Sequence, residues 1–258
     1  LTFSPARDLI VETEAQIPLK HNLVYKAAAL LKNTYGGEGA HITLEKNIPM
    51  GAGLGGGSSD AAATLTGLSR LWSLNIDREE LAVLAGKLGS DVPFFLYGPI
   101  AFAEGRGEKL LPCEAAESVH LLLVKPPFPV STSWAYKEIN KSRFNGQDSN
   151  QSSELTNKSS KSNNIELLNS SICKAGLKEI ADSVSNDLES VVIRSFPVIE
   201  EIKRQLISEG ATVALMSGSG STVFGVFQSR EEAEKASMSF KGYWTAIVQT
   251  MVTGFRDL

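Results

Sequence analysis

From Gly51 to Gly57 five of seven residues are glycine, and the run opens directly into Ser58-Ser59-Asp60-Ala61-Ala62-Ala63-Thr64-Leu65. Glycine loses more backbone entropy on folding than any other residue, so this density needs a geometric reason. The stretch Pro49–Ser59 reads as a loop that wraps closely around a ligand, with its backbone N–H groups turned inward. The helix start behind it adds unpaired N–H donors and a partial positive charge. Together these make an anion site, and phosphate is the usual occupant. A flexible linker would interleave polar residues, whereas Ile48, Met50, Leu54 and Leu65 frame this loop.

Two familiar phosphate motifs do not apply. Gly51-x-Gly53-x-x-Gly56 has the dinucleotide spacing, but that fingerprint also expects an acidic residue at the end of a second strand about 20 residues on. Asp77, the nearest candidate, reads as a helix cap. No Lys-Ser/Thr pair follows the last glycine, so the loop is not of the Walker type.

The 258 residues suit one large domain or two modest ones, and 42% hydrophobic content is enough for a proper core. A net charge of −4 gives no electrostatic reason to expect nucleic acid. Cys113 and Cys173 lack metal-ligand spacing and suggest no disulfide framework. His21, His41 and His120 are scattered and read as structural. No apolar run reaches membrane-spanning length and no secretory signal is visible. The expectation is a soluble, cytoplasmic protein with no membrane partner.

Leu9–Glu12 reads as a strand, and Asn22 as the cap of a helix from Leu23 to about Lys32 that Gly36-Gly37 ends. Ile42–Glu45 alternates like a strand and delivers the chain to the glycine loop. The helix behind the loop is expected from about Ser58 to Leu71. Asp77 and Glu80 form a capping box for a helix burying Leu81, Leu84, Ala85 and Leu88, which Gly89 closes. Asp91 follows in Gly89-Ser90-Asp91-Val92-Pro93-Phe94-Phe95, one carboxylate in an otherwise apolar loop held between glycine and proline. A plain turn former would look the same. The phosphate loop elsewhere in the chain raises its standing.

Ala101–Glu108 reads as a hairpin, Val119–Val124 as a buried strand, and Pro126, Pro127 and Pro129 stiffen the connection after it. A domain boundary is placed near Glu114–Glu117, giving domains 1–116 and 117–258. Ser131-Thr132-Ser133-Trp134-Ala135-Tyr136 offers hydroxyls and two aromatics, and residues 141–164 form a polar insertion expected to be disordered. In the last third, a helix around Ile199–Ile207 precedes two strands joined by Ser217-Gly218-Ser219-Gly220-Ser221-Thr222. Six small polar residues exceed what a tight hairpin needs and suggest a second close approach to a polar ligand. Ser229 and Glu232 cap another helix, and Tyr243–Thr250 is the closing strand. This order suggests an α+β sandwich.

Pro49–Ser59, Gly89–Phe95 and Met216–Phe227, in that order, resemble the three motifs of the GHMP small-molecule kinase superfamily. The expanded Pro-Met-Gly-Ala-Gly-Leu-Gly-Gly-Gly-Ser-Ser-Asp loop, Gly-Ser-Asp-Val-Pro-Phe-Phe, Ala-Glu-Gly-Arg-Gly-Glu and Asn186-Asp187-Leu188-Glu189 are similar to the branch that phosphorylates a cytidine diphosphate methylerythritol substrate. Homoserine and mevalonate kinases of the superfamily, and a catalytically silent nucleotide-binding regulator, stay open as alternatives. The resemblance implies an α+β, two-domain fold, an N-terminal α/β domain with the phosphate loop and a C-terminal ferredoxin-like sandwich. It implies ATP and Mg²⁺ as cofactors and a small-molecule substrate.

By the same resemblance, Pro49, Met50, Gly51, Ala52, Gly53, Leu54, Gly55, Gly56, Gly57, Ser58 and Ser59 hold the nucleotide phosphates. Asn22 and Lys46 lie near the adenosine and the loop, and Asp91 is the catalytic base. Thr132 and Tyr136 lie around the cytidine end. Ser58 or Ser59 helps to order Mg²⁺, and no residue is assigned as a dedicated metal ligand. The family's first motif carries a catalytic lysine and an aromatic-His pair. Nothing preceding Leu9 matches it, and Lys20 is no substitute. The chain begins at Leu1 rather than Met, so a fragment lacking that motif is expected.

Overall fold

The computed structural model describes residues 1–105, 107, 109–112, 118–145 and 184–251. Its described residues divide into two compact units, one made of residues 1–50 and those of 55–112, the other of residues 51–54 and those from 118 onward.

In the first unit, β1 (Thr2–Ala6), β2 (Leu9–Glu12) and β3 (Gly39–Thr43) form a sheet in the order β1-β3-β2. β1 runs antiparallel to β3, with Thr2 opposite Thr43, and β2 runs parallel to it, with Leu9 opposite Ala40. Asn22 starts α1 (Leu23–Tyr35) by accepting the Val24 N–H at 2.9 Å, and Gly36 ends it with φ +83°. α2 (Gly56–Leu71) packs across α1, and its Ala61, Ala62, Leu65 and Leu68 join Val24, Ala28, Leu31 and Ile42 in one buried core. α3 (Arg78–Leu88) carries the expected reciprocal capping box between Asp77 and Glu80, and Gly89 follows its end. A single turn of helix, α4 (Phe94–Tyr97), then leads to the hairpin of β4 (Ala101–Glu104) and β5 (Lys109–Pro112).

The second unit follows β-α-β-β-α-β order. Its described residues form β6 (His120–Lys125), the helices α5 (Thr132–Asn145), α6 (Glu189–Ser195) and α7 (Val198–Ser208), then β7 (Val213–Met216), β8 (Val223–Phe227), α8 (Arg230–Ser237) and β9 (Trp244–Gln249). The antiparallel sheet has the order β7-β8-β6-β9, the ferredoxin-like arrangement. Ile199, Ile202 and Leu206 of α7 and Ala233 and Ala236 of α8 are buried with Leu122, Val124 and Phe227 of the sheet. Ser229 caps α8 through the Glu232 N–H, but Glu232 returns its carboxylate to the Gln228 N–H, one residue before the cap.

Several elements differ from the pattern reading. β3 begins at Gly39 and stops at Thr43, the last rung of its pairing with β2, although Leu44 N–H still bonds the Glu12 carbonyl at 2.8 Å. β1 was not expected, and Pro5 within it is tolerated because β1 is an edge strand. Residues 132–145 form α5, which sets Trp134, Ala135 and Ile139 against the core. Residues 141–145, expected to open the polar insertion, are the last part of that helix. The rest of the insertion, 146–164, lies outside the described residues, as do Cys113, Cys173, the expected boundary at 114–117, and Arg106 and Glu108 of the hairpin.

Leu65 is fully buried where α2 meets α1 and the sheet. Leu65→Ala should destabilise the protein by about 2–5 kcal/mol, read as a lowered midpoint in urea unfolding. A cost below about 1 kcal/mol would mean that the site collapses without leaving a cavity.

Candidate phosphate-binding site

Gly51, Gly53 and Gly55 alternate in the glycine loop, with φ of +60°, +72° and +65°. Left-handed residues alternating with ordinary ones curl successive N–H groups toward one side, the geometry of an anion nest. Gly55 occupies the cap position of α2, where it has no side chain to offer the helix. The first bond to close the helix runs from Ser59 N–H to the Gly55 carbonyl at 2.9 Å. The N–H groups of Gly56, Gly57 and Ser58 therefore have no protein acceptor among the described residues. The Ser59 hydroxyl is used on the Gly56 carbonyl at 2.9 Å, while the Ser58 hydroxyl has no such partner.

Lys46 lies over this helix start. A Cβ on Gly56 would stand 3.1 Å from Lys46 Nζ and 2.8 Å from Ile48 Cγ2, so glycine is what lets both side chains approach. Lys46 Nζ donates to Asp60 Oδ2 at 2.5 Å, with the two side chains 10% and 19% exposed. An ammonium has three donors, so two remain for a ligand. Asp60, which the pattern reading left without a role, fixes the lysine from the next turn of the same helix.

The tip of the loop, Gly51–Leu54, packs with the second unit. Ser217 Oγ donates to the Gly53 carbonyl at 2.9 Å, and Thr222 N–H to the Ala52 carbonyl at 3.2 Å. A Cβ on Gly53 would stand 2.1 Å from the Ser217 carbonyl oxygen, a backbone atom that cannot swing away. The close approach expected of the Ser217–Thr222 loop is thus made to the backbone of the glycine loop. Gly218 serves it directly: a Cβ there would stand 3.2 Å from the Gly53 carbonyl.

Asp91 stands exposed on the turn between α3 and α4. Val92, fully buried beside it, pins the turn to the core, and Ser90 Oγ donates to Asp91 Oδ1 at 3.0 Å. The turn of the β4–β5 hairpin, assigned no chemistry from its sequence, lies beside this carboxylate: a Cβ on Gly107 would come within 3.9 Å of Oδ1.

Thr132 and Tyr136 share one side of α5 at i and i+4. Thr132 Oγ1 is hydrogen-bonded to Ser219 Oγ at 2.8 Å, which joins the start of α5 to the second glycine-serine loop. Tyr136 is 56% exposed, whereas Trp134 is a core residue set edge-on to Phe196 at 5.7 Å. Asn22 uses its oxygen as the α1 cap, and its amide nitrogen has no protein partner among the described residues. Asn186 reaches Met216 at the end of β7 and Gly218 in the Ser217–Thr222 loop, and Glu189 accepts the Met216 N–H. Their resemblance to a family segment marked them but did not say what they do. Among the described residues no cluster of His, Cys, Asp and Glu could hold a metal ion, and no helix is long and apolar enough to cross a membrane.

Residues 22–99 match the family of GHMP kinase N-terminal domains and residues 168–244 that of GHMP kinase C-terminal domains, together more than half of the chain. The chain belongs to the GHMP kinase family, a two-domain α+β fold whose members use ATP as phosphoryl donor. It is 44% identical to the 4-diphosphocytidyl-2-C-methyl-D-erythritol kinase of Thermodesulfovibrio yellowstonii, over 98% of this chain and 85% of that protein. A crystal structure of 4-(cytidine 5'-diphospho)-2C-methyl-D-erythritol kinase superposes with a TM-score of 0.71 at 31% identity, covering 97% of this chain and 85% of that one. The homoserine kinase of Cytophaga hutchinsonii superposes as well, with a TM-score of 0.72 over 97% of this chain and 84% of that one. Its 19% identity extends the likeness to the fold alone.

Gly56→Val should displace Ile48 and Lys46 from the start of α2 and weaken binding of a non-hydrolysable ATP analogue by about 10-fold or more, the effect of losing one or two charge-assisted hydrogen bonds. Isothermal titration reads this directly. Unchanged affinity would remove this helix start from the nucleotide site.

Proposed function

We propose that this chain transfers the γ-phosphoryl group of ATP to the 2-hydroxyl of 4-diphosphocytidyl-2-C-methyl-D-erythritol, a step of the non-mevalonate route to isoprenoid precursors. The similarity to kinases of that name along nearly the whole chain supports the substrate. The observation in the molecule that carries the chemistry is the uncapped start of α2 behind three left-handed glycines.

In this reading the N–H groups of Gly56, Gly57 and Ser58 and the α2 dipole bind the phosphates. The two free donors of Lys46 add positive charge to the same place. Asp60 holds that ammonium before nucleotide arrives, so little reorganisation is needed on binding. Asn22 offers its free amide nitrogen to the nucleotide, and Thr132 and the exposed ring of Tyr136 receive the cytidine end. Mg²⁺ takes most of its ligands from phosphates and water, with only one or two protein oxygens. The Ser58 hydroxyl, without a protein partner among the described residues, and the Ser59 hydroxyl, which donates its proton to Gly56 and keeps its lone pairs, both suit that role. When bound, the ion neutralises charge on the phosphates.

Phosphoryl transfer asks for positioning and charge stabilisation more than covalent chemistry. The substrate oxygen forms its bond to the γ-phosphorus as the bond to the bridging oxygen breaks, and ADP leaves. The hydroxyl proton passes to Asp91, whose Oδ1 is steadied by Ser90 while Oδ2 stays open.

Asp91→Asn should lower kcat by about 10²-fold or more, the usual contribution of a positioned base, with the KM for ATP within about 2-fold. Near-normal turnover would exclude Asp91 as the base. Incubating the protein with ATP and the cytidine diphosphate ester, homoserine or mevalonate in parallel should give ADP with the first alone. Preferential turnover of either of the others would replace the proposed substrate.

A further inference from the structure

Asn186, Glu189 and Lys203 form a polar brace that no step above uses. Asn186 Nδ2 donates to the carbonyls of Met216 and Gly218, both at 2.8 Å, while its Oδ1 accepts from Leu188 N–H at 3.0 Å. Glu189 Oε1 accepts from Met216 N–H at 2.8 Å, and its Oε2 accepts from Lys203 Nζ at 2.5 Å. The ends of that ion pair are 12% exposed for Glu189 and 20% for Lys203. Met216 is therefore gripped at both its N–H and its carbonyl by side chains from another segment. It is the last residue of β7, and β7 lies at the edge of its sheet.

Satisfying an edge strand explains the two bonds to Met216. It does not explain the second bond from Asn186 to Gly218, which lies past the strand and inside the glycine-serine loop. Gly218 and Gly220 have φ of +54° and +85°, so the loop owes its shape to outside contacts rather than to side-chain sterics. The adjacent Ser217 contributes both the hydroxyl that binds the Gly53 carbonyl and the carbonyl that excludes any Cβ there. A partly buried ion pair is weak evidence of stabilisation in itself, because desolvation offsets most of its attraction.

We infer that Asn186 and Glu189, the latter oriented by Lys203, are positioning residues for nucleotide binding. They hold the Ser217–Thr222 loop, and that loop holds the backbone of Gly53 in the conformation that receives phosphate. The inference rests on reading the glycine loop as the phosphate grip. Without the brace the two loops must be ordered at the moment of binding, which raises the cost of taking up ATP. The second substrate feels the loop only through the Ser219–Thr132 bond.

The test measures affinity for a non-hydrolysable ATP analogue, KM for ATP and for the cytidine substrate, and thermal midpoint, in Asn186→Asp, Glu189→Ala, Glu189→Gln and Gly53→Ala. Asn186→Asp keeps the acceptor for Leu188 but loses both donors. It should raise the KM for ATP and weaken analogue binding by about 10-fold, the loss of one or two hydrogen bonds, with a smaller rise in the KM for the cytidine substrate, passed on through the Ser219–Thr132 bond. Glu189→Ala should do the same, and Glu189→Gln, which retains an acceptor for Met216 N–H, should recover most of that loss. If Asn186→Asp and Glu189→Ala lower the thermal midpoint but keep wild-type ATP binding while Gly53→Ala weakens it, the brace is structural and the inference fails. If Gly53→Ala also binds the analogue normally, the reading of the glycine loop falls with it.

Discussion

Two stretches of backbone meet where neither can tolerate a side chain. Gly53 presents its missing Cβ to the Ser217 carbonyl at a hypothetical 2.1 Å, and Gly218 faces the Gly53 carbonyl across the same contact. Backbone cannot rotate out of the way as a side chain can, so this approach sets the position of the loop tip. The hydrogen bonds from Ser217 Oγ and Thr222 N–H then fix its orientation. Two residues past the tip the chain enters α2, whose first N–H groups are unspent. The placement of the loop tip thus depends on where a loop some 160 residues later in the sequence allows Gly53 to sit.

Charge is handled in a similar way, by committing some groups and leaving others free. Asp60 takes one donor of Lys46, Gly56 takes the hydroxyl of Ser59, and Val24 takes the oxygen of Asn22. Each commitment orients a side chain and leaves a neighbouring donor or hydroxyl available. The remaining groups, three backbone N–H groups, two lysine donors, the Asn22 amide nitrogen and the Ser58 hydroxyl, form a set of donors suited to an anion.

Much of this was legible in the residue pattern because it depends on local chemistry. The cap at Asn22, the Asp77–Glu80 box, the glycines that end α1 and α3 and the buried stripe of α2 follow from neighbours two to four positions apart. The elements that escaped carry weak local signals. β1 contains a proline that only its edge position excuses, and the sequence of α5 merges into the polar residues that follow. The roles of Asp60, Asn186 and Glu189 were hidden for a different reason. Each depends on a partner 14 to 32 residues away that no periodicity identifies.

The sequence by itself determined the family and led to the expectation of an anion at the glycine loop. Five glycines before a helix leave little for a loop to do but wrap an anion, and three ordered motifs are shared with the GHMP kinases. It also determined which residues had to be glycine. Only the tertiary structure decided why. Glycine at 56 makes room for Lys46 and Ile48, glycine at 55 for the ring of Phe95, and glycine at 53 for the backbone of Ser217. The different hydrogen bonding of Ser58 and Ser59 was likewise beyond the pattern, because adjacent identical side chains differ only in the partners that folding brings to them.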